Sequence, residues 1–198
     1  MSRSLILASQ SASRRAMLAA AGVPFTAETA GVDEDAAKAA LADLSPRDLA
    51  DALAELKALK VSARHPDALV LGSDSVVALS DGTLLDKPES REQAADHLTR
   101  MSGGTHKLWS AAVIAEGGRP VWRHVDAATL HVRTLSYGFI DRYLDAEWPA
   151  VGGCVGVFRI EGSGVQLFDR IEGSHFTVLG LPLIPVLGFL RVRGIMAS

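Results

Sequence analysis

Asp74 is the side chain best placed for chemistry. It follows Gly72-Ser73 at the end of the apolar run Ala68-Leu69-Val70-Leu71, and in open α/β sheets ligands gather at the carboxyl ends of strands. A carboxylate so close to a core run costs free energy unless a metal, a hydrogen-bond donor or water meets it. As a plain turn aspartate it would meet water. The second place is Ser9-Gln10-Ser11-Ala12-Ser13, a serine-rich turn between a short apolar run and a helical pattern. Backbone N–H groups and hydroxyls there lie at the positive end of a helix dipole, which has the form of an anion site. Arg14 and Arg15 add like charge to that end, at a cost of about a few tenths of a kcal/mol that an incoming phosphate would offset. Capping serines beside solvated arginines are the alternative.

Other charged residues complete the set. Lys57 flanks the stripe Leu49, Leu53, Leu56, so it either snorkels to water or turns inward. Lys60, one turn on, is equally open. Lys87 precedes Pro88 and is held extended, which suits a fixed cation and an ordinary loop alike. Asp33-Glu34-Asp35 reads as a solvated acidic turn, and Glu161-Gly162-Ser163-Gly164 as a hairpin tip. His106 and His175 show no metal-ligand spacing with other His or Cys residues, so no zinc site is supported. The single cysteine, Cys154, reads as packing rather than as a nucleophile. Together these residues are the inventory of phosphoryl chemistry. Cations hold the phosphates, carboxylates bind Mg²⁺ and orient water, and the metal offsets developing negative charge.

The elements that must position them alternate early and pair later. Leu5-Ile6-Leu7-Ala8 predicts a strand, followed by a helix from about Ser13 to Ala21 closed by Gly22. Ser45 as N-cap and Pro46 at the first helical position predict a helix running to about Arg64. Ala68 to Leu71 predicts a buried strand that Val76-Val77 continues beyond a polar insertion. Ser90 with Gln93 predicts a capping-box helix ended by Gly103-Gly104. Lys107 to Ala115 and Val121 to Thr134 form a hairpin on Glu116-Gly117-Gly118-Arg119. Ser136 caps a further helix, Val155 to Ile160 and Val165 to Ile171 form a second hairpin, and a helix from about Pro182 to Arg191 closes the chain. The predicted class is α/β with a mixed sheet.

Composition agrees. The chain has 198 residues, 48% hydrophobic and 22% charged, ordinary for a globular protein and far from disorder. A net charge of -3 gives no global attraction for nucleic acid or an anionic membrane, so phosphate binding must come from local cations. One cysteine excludes an intramolecular disulfide framework. Met1 to Gln10 lacks a signal peptide's apolar core, and Val178 to Leu190, broken by Pro182 and Pro185, falls short of a membrane span. The cytoplasm is the expected compartment.

The order of the motifs is more specific than any one of them. Leu7-Ala8-Ser9-Gln10-Ser11-Ala12-Ser13-Arg14-Arg15, Val32-Asp33-Glu34, Leu56-Lys57-Ala58 and Gly72-Ser73-Asp74-Ser75-Val76 come first. Lys87-Pro88, Ser102-Gly103-Gly104-Thr105-His106, Glu161-Gly162 and Gly180-Leu181-Pro182-Leu183 follow. This series, over nearly the full chain, resembles the Maf family of nucleoside triphosphate pyrophosphatases. The resemblance implies one domain over 1–198: an elongated mixed α/β sheet with flanking helices and two lobes around a deep cleft, related to the inosine triphosphate pyrophosphatases and often dimeric. It implies hydrolysis of a nucleoside triphosphate between the α- and β-phosphates, helped by Mg²⁺ or Mn²⁺. By the same resemblance Asp74 matches the proton acceptor and Glu34 the second essential carboxylate; on chemical grounds both are expected to hold the metal. Ser9, Arg14, Lys57 and Lys87 match the phosphate-binding residues.

Ser13, Ser75 and Glu161 fall at positions where the family divides by substrate. The dTTP/UTP branch usually carries arginine, threonine and glutamine there, and the 7-methyl-GTP branch a large aromatic, glutamine and glutamate. Glu161, the Gly-Ser-Asp strand end and Leu167-Phe168-Asp169-Arg170-Ile171-Glu172-Gly173 resemble the second branch, whereas Ser13 and Ser75 depart from both. Two rival readings are a non-catalytic nucleotide-binding regulator of septum formation and a nucleotidyltransferase that needs an acceptor.

Overall fold

A computed structural model describes residues 4–197; Met1, Ser2, Arg3 and Ser198 of the expected 1–198 domain lie outside the described residues. In chain order the elements are β1 (Leu5–Leu7), α1 (Ala12–Ala20), β2 (Thr26–Ala27), α2 (Glu34–Ala40), α3 (Pro46–Ser62), β3 (Leu69–Leu79) and β4 (Leu84–Leu85). Then follow α4 (Arg91–Met101), β5 (Thr105–Glu116), β6 (Arg119–Val132), α5 (Tyr137–Glu147), β7 (Phe168–Glu172), α6 (His175–Val178) and α7 (Leu183–Val192). The strands form one open mixed sheet in the order β2-β1-β3-β5-β6-β7, with β4 beside β3. β1 runs parallel to both β2 and β3, and β7 antiparallel to β6. The expected α/β class with a mixed sheet is therefore observed.

The chain gathers into two compact units. The first holds the described residues up to Ser75, Trp109–Asp126 and the residues from His175 on; the second holds Val76–Leu108 and Ala127–Ser174.

In the first unit, successive side chains of β1 and β3 point to opposite faces, and both faces are covered. Leu5, Leu7, Leu69 and Leu71 join Leu18, Ile114, Leu181 and Val186 in one core cluster. Ile6, Ala8, Val70 and Ala68 join Ala30 and Val61 in another. That is why β1 and the opening of β3, Leu69-Val70-Leu71, read as unbroken apolar runs rather than alternating ones. Each fully buried leucine contributes about 1.5–3 kcal/mol, and Leu7, Leu53, Leu69 and Leu71 are fully enclosed.

Helix α3 begins as the sequence predicts, with Ser45 accepting from Asp48 N at 3.2 Å and Pro46 at the first position. Its buried face differs from the expected stripe. Leu56 is 40% exposed, and the face against the core runs Leu49, Leu53, Lys57 with Ala50, Ala54, Ala58 and Val61.

In the second unit α4 packs on α5, with Arg91 donating to Asp141 and Asp145 at 2.6 Å each. Ser90 accepts from Gln93 N at 3.1 Å, while the Gln93 amide oxygen accepts from Glu89 N at 2.6 Å. The capping box thus forms one residue further back than predicted. The second predicted hairpin is not there. Residues 155–160 form no strand, residues 163–167 coil into a 3₁₀ turn, and β7 pairs with β6 instead. Two left-handed residues, Gly156 (φ +85°) and Val157 (φ +60°), break any extended run there.

Candidate active site

The site is built where β1 ends. Ala8 N donates to Leu71 O at 2.8 Å, and the chain then leaves the sheet through Ser9. The Ser9 hydroxyl accepts from Ser11 N at 3.2 Å, and Ser11 caps α1 by accepting from Arg14 N at 3.4 Å. Ser13 is the second residue of α1 and half-buried. Arg14 turns into the protein and is only 8% exposed, whereas Arg15 is exposed.

Among the described residues, every hydrogen-bond partner of Arg14 is neutral. Nε donates to Gly180 O at 2.8 Å, Nη2 to Ser75 Oγ at 3.0 Å and Nη1 to Ser9 Oγ at 3.4 Å. A guanidinium has five N–H donors, so one remains on each terminal nitrogen. Burial pulls the guanidinium below its ordinary value, opposed by the nearby charges of Asp74 and then Glu34. Neither acid touches it.

The acids converge on Lys57 instead. Its Nζ lies 2.6 Å from Asp74 Oδ1 and 2.7 Å from Glu34 Oε1. Lys57 and Asp74 are both buried, and Glu34 is half-buried. Asp74 is not at a strand end as predicted: β3 runs through it to Leu79. The parallel pairing with β1 stops at Leu7↔Leu71, however, so Asp74 lies just beyond the end of β1. Gly72 sets the approach of α3 to this strand. A Cβ on Gly72 would lie 2.1 Å from Ala54 O and 2.6 Å from Ala58 N, so only glycine lets Lys57 come down onto Asp74.

Glu34 is not in a solvated turn either. Asp33 is the N-cap of α2, accepting from Ala36 N at 3.0 Å, and Glu34 and Asp35 form its acidic first turn. The Lys60 ammonium donates to Gly31 O, so two lysines one turn apart on α3 fasten this loop and its carboxylate.

Ser9, Arg14, Glu34, Lys57, Asp74 and Ser75 thus gather in the first unit. Lys87 and Glu161, both exposed, belong to the second. There both act on Cys154. Burial pushes its thiol up and Glu161 pushes it further, against Arg159 and Lys87, so it stays protonated and is a poor nucleophile. The segment carrying Glu161 folds around buried Glu147, whose carboxylate accepts from Arg159 Nη2 at 2.6 Å and from the Ser163 hydroxyl. The Arg159 side chain is partly exposed, and Glu147 is held below the usual carboxylate range by Ser163 and Arg159.

Four participants escaped sequence reasoning: the Gly180 carbonyl, Ser73, whose hydroxyl donates to that carbonyl, Ser110, whose hydroxyl meets Ser75, and the Thr177 carbonyl, which accepts from Ser110. Ser73 and Gly180 sit inside quoted motifs. Ser110 and Thr177 carry no sequence signal.

Fold and site together define an α/β protein with a cluster of two buried cations and two carboxylates just beyond the end of its first strand. The chain belongs to the Maf-like protein family, which matches residues 4–193. It is 51% identical over 193 residues to a nucleoside triphosphate pyrophosphatase of Sphingopyxis alaskensis, covering 96% of this chain and 98% of that one. It is 52% identical over 190 residues to a nucleoside triphosphate pyrophosphatase of Caulobacter vibrioides, covering 95% and 94%. A 7-methyl-GTP pyrophosphatase of Mesorhizobium japonicum is 47% identical over 196 residues, covering 98% of each. Enzymes so named are hydrolases of acid anhydrides. Among the described residues no helix is long and apolar enough to cross a membrane.

Proposed function

We propose that this chain hydrolyses a nucleoside triphosphate to the monophosphate and pyrophosphate. The observation that carries the reading is Arg14, a buried cation held only by neutral acceptors beside a lysine that two carboxylates already share. A desolvated charge with no ion pair in direct contact is costly, and a phosphate oxygen would supply one through a charge-assisted pair. The names of the relatives give the substrate class.

Arg14 and Ser9 bind and orient the phosphates in this reading. Asp74 accepts the proton of the water that attacks the α-phosphorus, and pyrophosphate leaves. Lys57 holds Asp74 and Glu34 together against their mutual repulsion. Asp74 and Glu34 are the oxygen donors that a cation of the magnesium kind takes. Both meet Lys57 Nζ, and no cluster of three or more His, Cys, Asp or Glu exists among the described residues, so substrate phosphates would have to supply the remaining ligands. Mg²⁺ is typically bound by one or two carboxylates with substrate phosphates completing its shell. Held by Asp74 and Glu34, Mg²⁺ or Mn²⁺ would neutralise negative charge developing on the phosphate. For Lys87 and Glu161 the roles of phosphate binding and base recognition rest on the family resemblance, as does a methylated guanine as the preferred base. Ser75, bonded to Arg14, acts on the phosphate side.

The test is pyrophosphate release with Mg²⁺ across common, deoxy and methylated nucleoside triphosphates. Release from 7-methyl-GTP above all others supports the methylated base. Preference for dTTP or UTP removes it. Binding without release across the panel would make the chain a nucleotide-binding regulator and end the hydrolase reading.

A further inference from the structure

The bond that Arg14 makes to Ser75 continues inward. Ser75 Oγ lies 2.9 Å from Ser110 Oγ, and Ser110 Oγ donates to Thr177 O at 2.9 Å. Ser110 is wholly buried on β5. A hydroxyl has one proton, and Ser110 has given its own to a carbonyl, so toward Ser75 it can only accept. Ser75 must therefore donate to Ser110, which turns its lone pairs to Arg14 Nη2. The hydrogen bonds run one way: Arg14 to Ser75, Ser75 to Ser110, Ser110 to the Thr177 carbonyl.

The far end is fixed as well. The Thr177 hydroxyl donates to Asp126 at 2.6 Å. Three residues on, the Gly180 carbonyl accepts from both Arg14 Nε and the Ser73 hydroxyl, the latter at 3.1 Å. Gly180 has φ +97°, and a Cβ there would sit 3.3 Å from Ser75 Oγ and 3.6 Å from two Arg14 nitrogens. Any larger residue would be strained and would press into the cradle.

We infer that Ser110, through Ser75, is a positioning residue for Arg14: it fixes the direction of the Ser75 hydroxyl and so the plane in which the guanidinium meets a phosphate. The inference rests on the proposed phosphate role of Arg14. It gives position 75 a function at the phosphates, distinct from recognition of the base.

The experiment is a double-mutant cycle read by calorimetry with inorganic pyrophosphate in Mg²⁺ buffer, using wild type, Ser110→Ala, Arg14→Ala and the double variant. Ser110→Ala should weaken pyrophosphate binding about tenfold, the scale of a weakened hydrogen bond to a charged group. In the Arg14→Ala background the same change should have an effect below about twofold, since coupled residues are not additive. Equal losses in both backgrounds would overturn the relay and make Ser110 a packing residue. Ser75→Ala, at a half-buried position, repeats the cycle if the Ser110 variant does not fold. In turnover, the Ser110 variant should raise KM for nucleoside triphosphate more than it lowers kcat; a fall in kcat alone would count against the relay. A wild type that binds pyrophosphate but hydrolyses no nucleoside triphosphate would sink the proposed activity and leave the relay standing.

Discussion

The two buried cations of the first unit are held in opposite ways. Lys57 has two carboxylates on one ammonium, so its charge is balanced within the protein. Arg14 has a carbonyl and two hydroxyls, which fix its plane without balancing its charge. The residue types suit the roles. An ammonium is a compact point charge that two acids can share, and a guanidinium is a planar fork that neutral acceptors can orient. The contrast teaches that nearby acids do not quench a cation if a second cation engages them. Lys57 takes the direct contacts of Asp74 and Glu34, and those two acids act on Arg14 only through space.

The sharpest break in this comparison is Asp74→Asn. The amide still fills the space but cannot take a proton, so kcat should fall about a thousandfold or more with the fold retained. Steady-state pyrophosphate release measures it, and activity near wild type would remove Asp74 from the base role. Arg14→Lys comes next. It preserves charge and loses the fork, so kcat/KM should fall about a hundredfold. If lysine serves as well as arginine, the neutral cradle has no directional role.

The smallest effect concerns a buried base with no hydrogen-bond partner on its side chain. His106, in the second unit, is 2% exposed, both ring nitrogens lack a hydrogen-bond partner, and Phe158 and Phe168 lie 6.3 and 6.1 Å away. Burial lowers its pKa from 6.5 to about 4. The unfolded chain therefore binds this proton between those values and the folded chain does not. The stability of the neutral imidazole is complete above the unfolded value and is lost as pH falls toward the folded one. From pH 7 to pH 5, wild type should lose about 2 kcal/mol more than His106→Leu. Denaturant midpoints at the two pH values give the difference, and equal losses would mean that His106 finds a partner for its proton.

Much of this was legible because capping is local. Ser45 with Pro46, Ser90 with Gln93, and Ser136 each mark a helix start by side chains that reach only three residues, and all three helices begin there. Burial on a helix face is not local. Leu56 read as core and Lys57 as its flank, but the close approach over Gly72 rotates the buried face onto Lys57. Likewise Asp33-Glu34-Asp35 looked like solvated turn chemistry, when an acidic N-cap and first turn begin α2. Around Glu161 the alternating pattern suggested a hairpin. The buried Glu147 carboxylate, met by Arg159 and Ser163, overrides it from outside the segment. Ser110 shows the limit: nothing about a serine in a strand tells which hydroxyl it will direct.

At Gly72 the backbone of α3 occupies the space where a side chain would begin, so the helix has no looser seating that still leaves Lys57 on Asp74. Any fluctuation that lifts α3 from β3 takes the ammonium from Asp74 in the same event. Openings of single elements are generally cheaper than unfolding of the whole chain. In mild denaturant, then, turnover would fade while the rest of the protein stayed folded, and activity would gauge the docking of one helix rather than the population of native molecules.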